Sequence, residues 1–336
     1  MSWLSILVPV YNVLPYLEEC LTSIIEQVDE GVEVLVLDDC STDGSSELLH
    51  KLMLRWPGQL HLLQHTHNSG LSAARNTMSE AAKGDYLWFI DSDDKLLPGA
   101  LHNLASILRS STPDIILCDF SVLREKTRIK HKLRGELHRK SFAGPSNQLQ
   151  NDRALLLSGL FSTGQMHAWS KVSRRELWNK SLRFPQGRYF EDLMCMPLLA
   201  LQCQNFYYCP QPWVAYRQRS TSILSTMTLS KAQDQSAALK GFSQALRHDP
   251  LCNNKPLQLA LAQQCARNFI GSMRFIARQQ QKIETSQIKE SVERFHFDFT
   301  QASPYSINKL IRIYLQRGWW LRALKLCHWA HWSLTK

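Results

Sequence analysis

The first third of the chain alternates short, unbroken apolar runs with longer segments in which apolar residues recur every three or four positions. The runs at 5–9, 33–39, 59–64, 85–90 and 114–119 predict strands. The run Glu-Val-Leu-Val-Leu-Asp-Asp at 33–39 ends in acids and lacks a polar face, as does a strand buried on both sides of a parallel sheet. Between the runs, 14–27 sets Leu17, Leu21, Ile24 and Ile25 on one helical face. Ser41, Thr42 and Asp43 offer N-caps for a helix running to Arg55. The Ala-rich segment 70–83 and a segment opening at Pro98 predict two more helices. Strands alternating with helices imply an α/β fold with a mostly parallel sheet flanked by crossover helices.

Ligands bind such sheets beyond the carboxyl ends of the strands. The residues at those ends are Tyr11 and Asn12, Asp38 and Asp39, Asn68, and Asp91 to Asp94. All are expected on one rim. Beyond residue 120 the alternation loosens, and 159–216 mixes aromatics, basic residues and one acidic pair. From Ser230 onward the pattern is helical, clearest over 258–280 and 306–332. The expected division is an α/β unit over 1–225 and a helical region over 226–336.

Composition narrows this picture. The 336 residues suffice for a large core without covalent staples. Nine cysteines, an odd number with no C-x-x-C spacing, argue against a disulfide framework or zinc ribbon and for reduced thiols in cytoplasm. The apolar start lacks the charged leader of a secretory signal, and no run of about 18 apolar residues offers a membrane-spanning helix. The net charge of +10 is unevenly placed: 124–139 is dense in Lys and Arg, and 301–336 contains no acid. That asymmetry points to an anionic partner. The tail interleaves Lys309, Arg312, Arg317, Arg322 and Lys325 with Trp319, Trp320, Trp329 and Trp332. Such a helix suits an anionic membrane surface, or packs on its own domain or on a partner subunit in an oligomer. No nucleic-acid-binding motif is present, so nucleic acid is not expected as a partner.

Candidate chemistry concentrates on the rim. In Phe89-Ile90-Asp91-Ser92-Asp93-Asp94, carboxylates two positions apart on a turn can face one hard divalent cation, which shares its remaining sites with phosphates. Such a turn also serves simply to cap the next helix. Asp38-Asp39 can accept from a base N–H or a ribose hydroxyl, or cap a helix. In Asn68-Ser69-Gly70-Leu71-Ser72-Ala73-Ala74-Arg75-Asn76, the glycine admits close backbone approach and the helix start favours an anion. Arg75 can reach a phosphate or a rim acid. His61 and His65 would face together only on a helix, so a metal site there is not expected.

Taken together, Val8-Pro9-Val10-Tyr11-Asn12, Asp38-Asp39-Cys40-Ser41-Thr42-Asp43-Gly44-Ser45, Asn68-Ser69-Gly70 with Ala74-Arg75-Asn76, and Asp91-Ser92-Asp93-Asp94 resemble, in order and spacing, the family 2 glycosyltransferases of GT-A fold. The resemblance implies a Rossmann-like sheet and a nucleotide-sugar donor. It places Pro9, Tyr11 and Asp39 at the base, Arg75 in the donor pocket, Asp91 near the ribose with Ser92 beside it, and Asp93 on Mn²⁺ or Mg²⁺. Cys40 stands where glycine is more usual. The second half matches more thinly. Ala168-Trp169-Ser170-Lys171, Arg183-Phe184-Pro185 and Tyr189-Phe190-Glu191-Asp192 are similar to bacterial members that modify surface glycans. By that likeness Trp169 and Lys171 belong to the acceptor or sugar region, Asp192 is the general base, and Glu191 orients it or touches the acceptor. A helix-capping role for the pair is the alternative. Tyr216-Arg217-Gln218-Arg219-Ser220-Thr221-Ser222-Ile223 resembles the loop that closes over the diphosphate, where Arg217 and Arg219 would offset leaving-group charge.

The implied activity is an inverting, metal-dependent transfer from a uridine diphosphate sugar to a hydroxyl of a glycan or lipid-linked acceptor, in cytoplasm or on the inner face of the cytoplasmic membrane. A different nucleotide enzyme would need a phosphate loop, and neither G-x-G-x-x-G after a strand nor G-x-x-x-x-G-K-[ST] occurs. A non-catalytic sugar-nucleotide or membrane-surface binder on the same fold is the remaining alternative. The presence of both the metal acids and the Glu191-Asp192 pair counts against it.

Overall fold

The computed structural model describes residues 2–124, 131, 133, 135–179, 181–218 and 226–332. Its centre is one sheet. The strands are β1 (Leu4–Val10), β2 (Val32–Asp38), β3 (Leu60–Gln64), β4 (Tyr86–Phe89), β5 (Lys95–Leu96), β6 (Ile115–Leu123), β7 (Leu149–Gln150), β8 (Lys171–Arg174) and β9 (Phe206–Arg217). Their spatial order is β3-β2-β1-β4-β8-β6-β9-β5, with β7 added alongside β9. The β3-β2-β1-β4 half is parallel, as the alternation with helices predicts. Past β4 the sheet is mixed: β8 runs antiparallel to both neighbours, and β6 and β9 are parallel to each other.

Both faces are covered, which explains the missing polar alternation in the strands. One face of the sheet, through Ile6, Val8, Val34, Val36, Trp88 and Ile116, packs on α1 (Leu14–Ile25), α2 (Ser45–Arg55) and α4 (Ala100–Ser110). The other, through Leu7, Leu35, Leu37, Leu87, Phe89 and Leu117, packs on α3 (Leu71–Ala81), α5 (Arg153–Thr163) and α6 (Glu191–Gln202). The same core continues without a break into α7 (Leu229–Ala237), α8 (Lys240–Arg247), α9 (Lys255–Gln279), α10 (Thr285–Ala302), α11 (Ile307–Gln316) and α12 (Trp320–Ala330).

Two local expectations are corrected. Asp43 does not cap α2 as a conventional N-cap; Gly44 occupies that position. Asp43 instead serves two helix starts, accepting from Ser45 N at 3.0 Å and from Leu14 N at 2.9 Å. The periodic stretch 306–332 is two helices. At Gly318 (φ 70°) the chain turns left-handed, and Trp319 N donates back to Tyr314 O at 2.8 Å, closing the turn in the manner of a Schellman motif. Among the described residues no helix is long and apolar enough to cross a membrane.

Gly84 precedes β4 where the chain presses on β1. A methyl group there would sit 2.5 Å from Leu4 C and Ser5 N, both backbone atoms that cannot yield. Overpacking of this kind costs about 1–3 kcal/mol. Gly84→Ala should therefore lower the urea midpoint with the slope unchanged; an unaltered midpoint would disprove the close approach.

Candidate active site

The strand ends do converge. Asp39 N donates to Val10 O at 2.9 Å, holding the ends of β1 and β2 together, and Asn12 Oδ1 accepts from Thr42 N at 2.8 Å. Tyr11 stands at this rim with its ring 45% exposed. Pro9 pairs with Leu37 inside the sheet and is buried. Asp39 is buried, and both its oxygens are engaged: Oδ1 with Ser69 N (2.9 Å) and His65 Nδ1 (2.6 Å), Oδ2 with Gly70 N (2.7 Å). It fixes the backbone of the 65–70 turn, and Gly70 (φ 85°) supplies the left-handed residue that lets α3 begin there. His65 thus has a structural partner. Among the described residues no cluster of three or more His, Cys, Asp or Glu forms a metal cage.

Arg75, on α3, organises the centre. Its side chain is 1% exposed. Nη2 donates to Asp91 Oδ1 at 2.8 Å; Nη1 donates to Asp192 Oδ1 at 2.8 Å and Glu191 Oε1 at 3.1 Å. The rings of Phe184 and Phe89 lie 5.1 and 6.0 Å from the guanidinium. Burial works against its charge, but three carboxylates outweigh that and hold it ionised. One cation therefore joins the turn after β4 to the start of α6.

The acidic pair sits in the first turn of α6, where the helix dipole favours negative charge. Phe190 just before it is left-handed (φ 60°) without being glycine, an uncommon conformation that the surroundings must hold. Asn76 clamps the approach from one side, exchanging hydrogen bonds with Phe184 N and O at 2.9 Å each. From the other side Asp234, on α7, accepts from Tyr189 N at 3.0 Å and Arg188 Nη1 at 2.9 Å. Asp192 Oδ2 accepts from Ala168 N at 3.0 Å. Burial and the Asp192 charge push the Glu191 carboxyl up to about 7.

In the Asp91-to-Asp94 turn, Ser92 and Asp94 point inward and are buried. Asp94 Oδ1 accepts from Arg217 N at 2.7 Å, while Oδ2 has no partner, and burial with Asp93 and Asp91 nearby pushes its carboxyl well above the usual range. Asp93 is half-buried. Arg217 does not hang free over the site: Nε donates to Asp93 O at 2.8 Å, Nη2 pairs with Glu19, and the guanidinium lies 4.9 Å from the Tyr16 ring. It locks the acidic turn to α1. Arg219 lies outside the described residues.

Trp169 and Lys171, expected in the acceptor or sugar region, are both buried. Trp169 stacks against both His167 (4.6 Å) and Tyr216 (5.4 Å), which also stack on each other, and its carbonyl accepts from Trp88 Nε1. Lys171 Nζ donates to His167 O (2.8 Å), Gln165 O (3.1 Å) and Ser170 Oγ (3.0 Å). Burial lowers it to about 8 and lowers the His167 ring to about 4, so His167 is neutral at pH 7. Together they set the loop whose Ala168 amide holds Asp192. Sequence reasoning missed Asn76, Asp234 and His167 as parts of the site. Asn76 lay inside a quoted motif, but Asp234 carries no local pattern.

A testable consequence concerns Glu191. Its folded value lies above the unfolded one of 4.5, so the stabilisation from its proton is complete below 4.5 and is lost as pH rises through about 7. Glu191→Gln cannot lose a proton. In urea unfolding, the variant should gain on the parent steadily between about pH 5 and pH 8; a gap that stays constant or runs the other way would refute the shift.

Comparison with known proteins agrees with this geometry. The model of Glycosyl transferase family 2 matches residues 5–177. Glycosyltransferase GlyA of Streptococcus pneumoniae is 30% identical over 233 residues, 67% of this chain but only 32% of that much longer protein. GlyG of the same organism is 26% identical, covering 69% of this chain and 76% of its own. Among solved structures, Staphylococcus aureus TarS 1–349 in complex with UDP-GlcNAc superposes with a TM-score of 0.73 at 20% identity, over 98% of this chain and 90% of that one. The mannosyltransferase PcManGT of Pyrobaculum calidifontis, in complex with GDP-Man and Mn²⁺, gives 0.53 at 18% identity, over 98% and 86%. With the family model spanning more than half its length and the strand-end motifs gathered on one rim, this chain belongs to glycosyltransferase family 2.

Proposed function

We propose that the protein moves a sugar from a uridine diphosphate donor to a hydroxyl of a glycan or lipid-linked glycan by a single inverting displacement. One observation carries the reading: Arg75 bonds Asp91, beside the nucleotide rim, and Asp192, at the start of α6, through one buried guanidinium. A donor-side acid and a base are thereby held at a fixed separation. Uridine is supported by the complexes of TarS with UDP-GlcNAc and UDP. In this reading Tyr11 offers its ring to the base, Pro9 and Asp39 frame that pocket, and Asp91 and Ser92 line the ribose side. Arg217, with Arg219, offsets diphosphate charge from the end of β9. Catalysis falls to 1–225, with 226–336 bracing it through Asp234.

The acidic turn fits a divalent cation. It concentrates hard oxygen donors, and one of them, Asp94 Oδ2, is buried with no hydrogen-bond partner. With no cage of three ligands among the described residues, Asp93 would hold Mn²⁺ or Mg²⁺ together with donor phosphates. A bound ion supplies charge neutralisation to the departing diphosphate.

Asp192 acts as the base. The acceptor oxygen attacks the anomeric carbon, its proton passes to the Asp192 carboxylate, and the bond to the diphosphate breaks on the opposite face, leaving its electron pair with the nucleotide. Glu191, near 7, is half protonated at neutral pH and serves as acceptor contact. Trp169 and Lys171 shape the acceptor region from within, and the neutral His167 ring and Tyr216, the less buried members of the same stack, face the acceptor. All nine cysteines are free thiols, which supports a reducing, cytoplasmic setting.

Nucleotide release from a donor panel with Mn²⁺ tests the reading. Asp192→Asn should cut turnover by about 10²–10⁴ while donor still binds, and Glu191→Gln should retain much more activity. If Glu191→Gln is the dead variant and Asp192→Asn is not, the base is misassigned. Activity should vanish with chelator and Asp93→Ala, and return to the parent with Mn²⁺ or Mg²⁺. Turnover indifferent to both would refute metal dependence.

A further inference from the structure

The helix α12 is amphipathic in an unusual sense: both faces are apolar. Ala323 and Leu326 are buried, and the flanking Trp319, Trp329 and Trp332 pack partly into the core. On the opposite side Trp320 is 62% exposed, Leu321 83% and Leu324 66%. At 100° per residue, these three with Lys325 and His328 fall within one solvent-facing arc. They are three of the large exposed apolar side chains of the described chain, gathered on a single helix. Leu315, at the end of α11, is exposed as well.

The charge around this face is of one sign. The stretch 301–336 has no acidic residue, and Arg317, Arg322 and Lys325 are all exposed. Arg317 and Arg322 lie over the Trp319 ring at 5.3 and 4.8 Å, at the start of this helix. Exposed apolar side chains, Trp320 among them, on a helix whose exposed charges are all cationic, match the interface of a bilayer carrying anionic lipid. A second copy fits poorly, because an isologous contact would set like charges against each other.

We propose that the exposed face of α12 docks the protein on an anionic membrane surface, through Trp320, Leu321 and Leu324 with Arg317 and Lys325 on the headgroups. The proposal is independent of the transferase reading, since binding is measured without donor or acceptor. The test is co-sedimentation of the full chain with phosphatidylcholine vesicles, with and without about 30 mol% phosphatidylglycerol. Binding should be at least about tenfold stronger with the anionic lipid, and should weaken as salt shortens the screening length. Leu321→Gln with Leu324→Gln should reduce it by at least about tenfold. Because both side chains point to solvent, the melting temperature and donor cleavage should stay unchanged. Equal sedimentation of parent and double variant would overturn the proposal. So would sedimentation velocity without lipid showing a dimer that the double variant dissolves, since the face would then belong to a second copy.

Discussion

The site hangs on Arg75. A guanidinium removed from water is costly unless its charge is met, and here three carboxylates meet the charge and both Nη groups, while the buried Nε has no partner. The cost explains the company it keeps. Phe89 and Phe184 pack against its faces, and Asn76, one residue on, pins the Phe184 backbone. The turn after β4 and the start of α6 have no covalent reason to sit together. Arg75 provides the physical one, and the low polarity around it makes the pairing strong and geometrically narrow.

That centre leaves a surplus of negative charge. Asp91, Glu191 and Asp192 share one cation, and Asp94 lies close to Asp93 and Asp91 with an oxygen unpartnered. Burial first, and the neighbouring carboxylates second, push the carboxyls of Glu191 and Asp94 upward. A site of this kind is poised for cationic ligands, and it loses stability as its acids ionise. Such strain between stability and function is common where charges must act.

The helical half is part of the same body. Its core is continuous with that under α3, α5 and α6, and Asp234 reaches from α7 to hold the Arg188–Tyr189 backbone ahead of the left-handed Phe190. The family model stops at 177, before the acidic pair and its brace. Chemistry carried by the matched half is therefore positioned in part by residues beyond it.

Much of this was readable from the chain. Apolar runs and helical spacing located β1 to β4 and α1 to α4, because burial on both faces of a parallel sheet leaves an unmistakable pattern. Strand-end placement then put Tyr11, Asp39 and Asp91 on one rim. Helix starts were less legible: Asp43 accepts from the first residue of each of two helices, one of them remote in sequence, without being the N-cap of either, and Gly318 breaks a stretch whose periodicity continues across it. What only the tertiary structure decided is who meets whom. Trp169 and Lys171 stand in sequence only as members of one short motif, and it is the fold that buries them in an aromatic stack and a cradle of carbonyls. Arg75 shows as a cation near a rim, but its partners at 191 and 192 lie more than a hundred residues away. Periodicity records whether a residue faces a core, since hydrophobic burial acts residue by residue. Pairing of buried charges depends on the distances between elements, and those are fixed only when the whole chain packs.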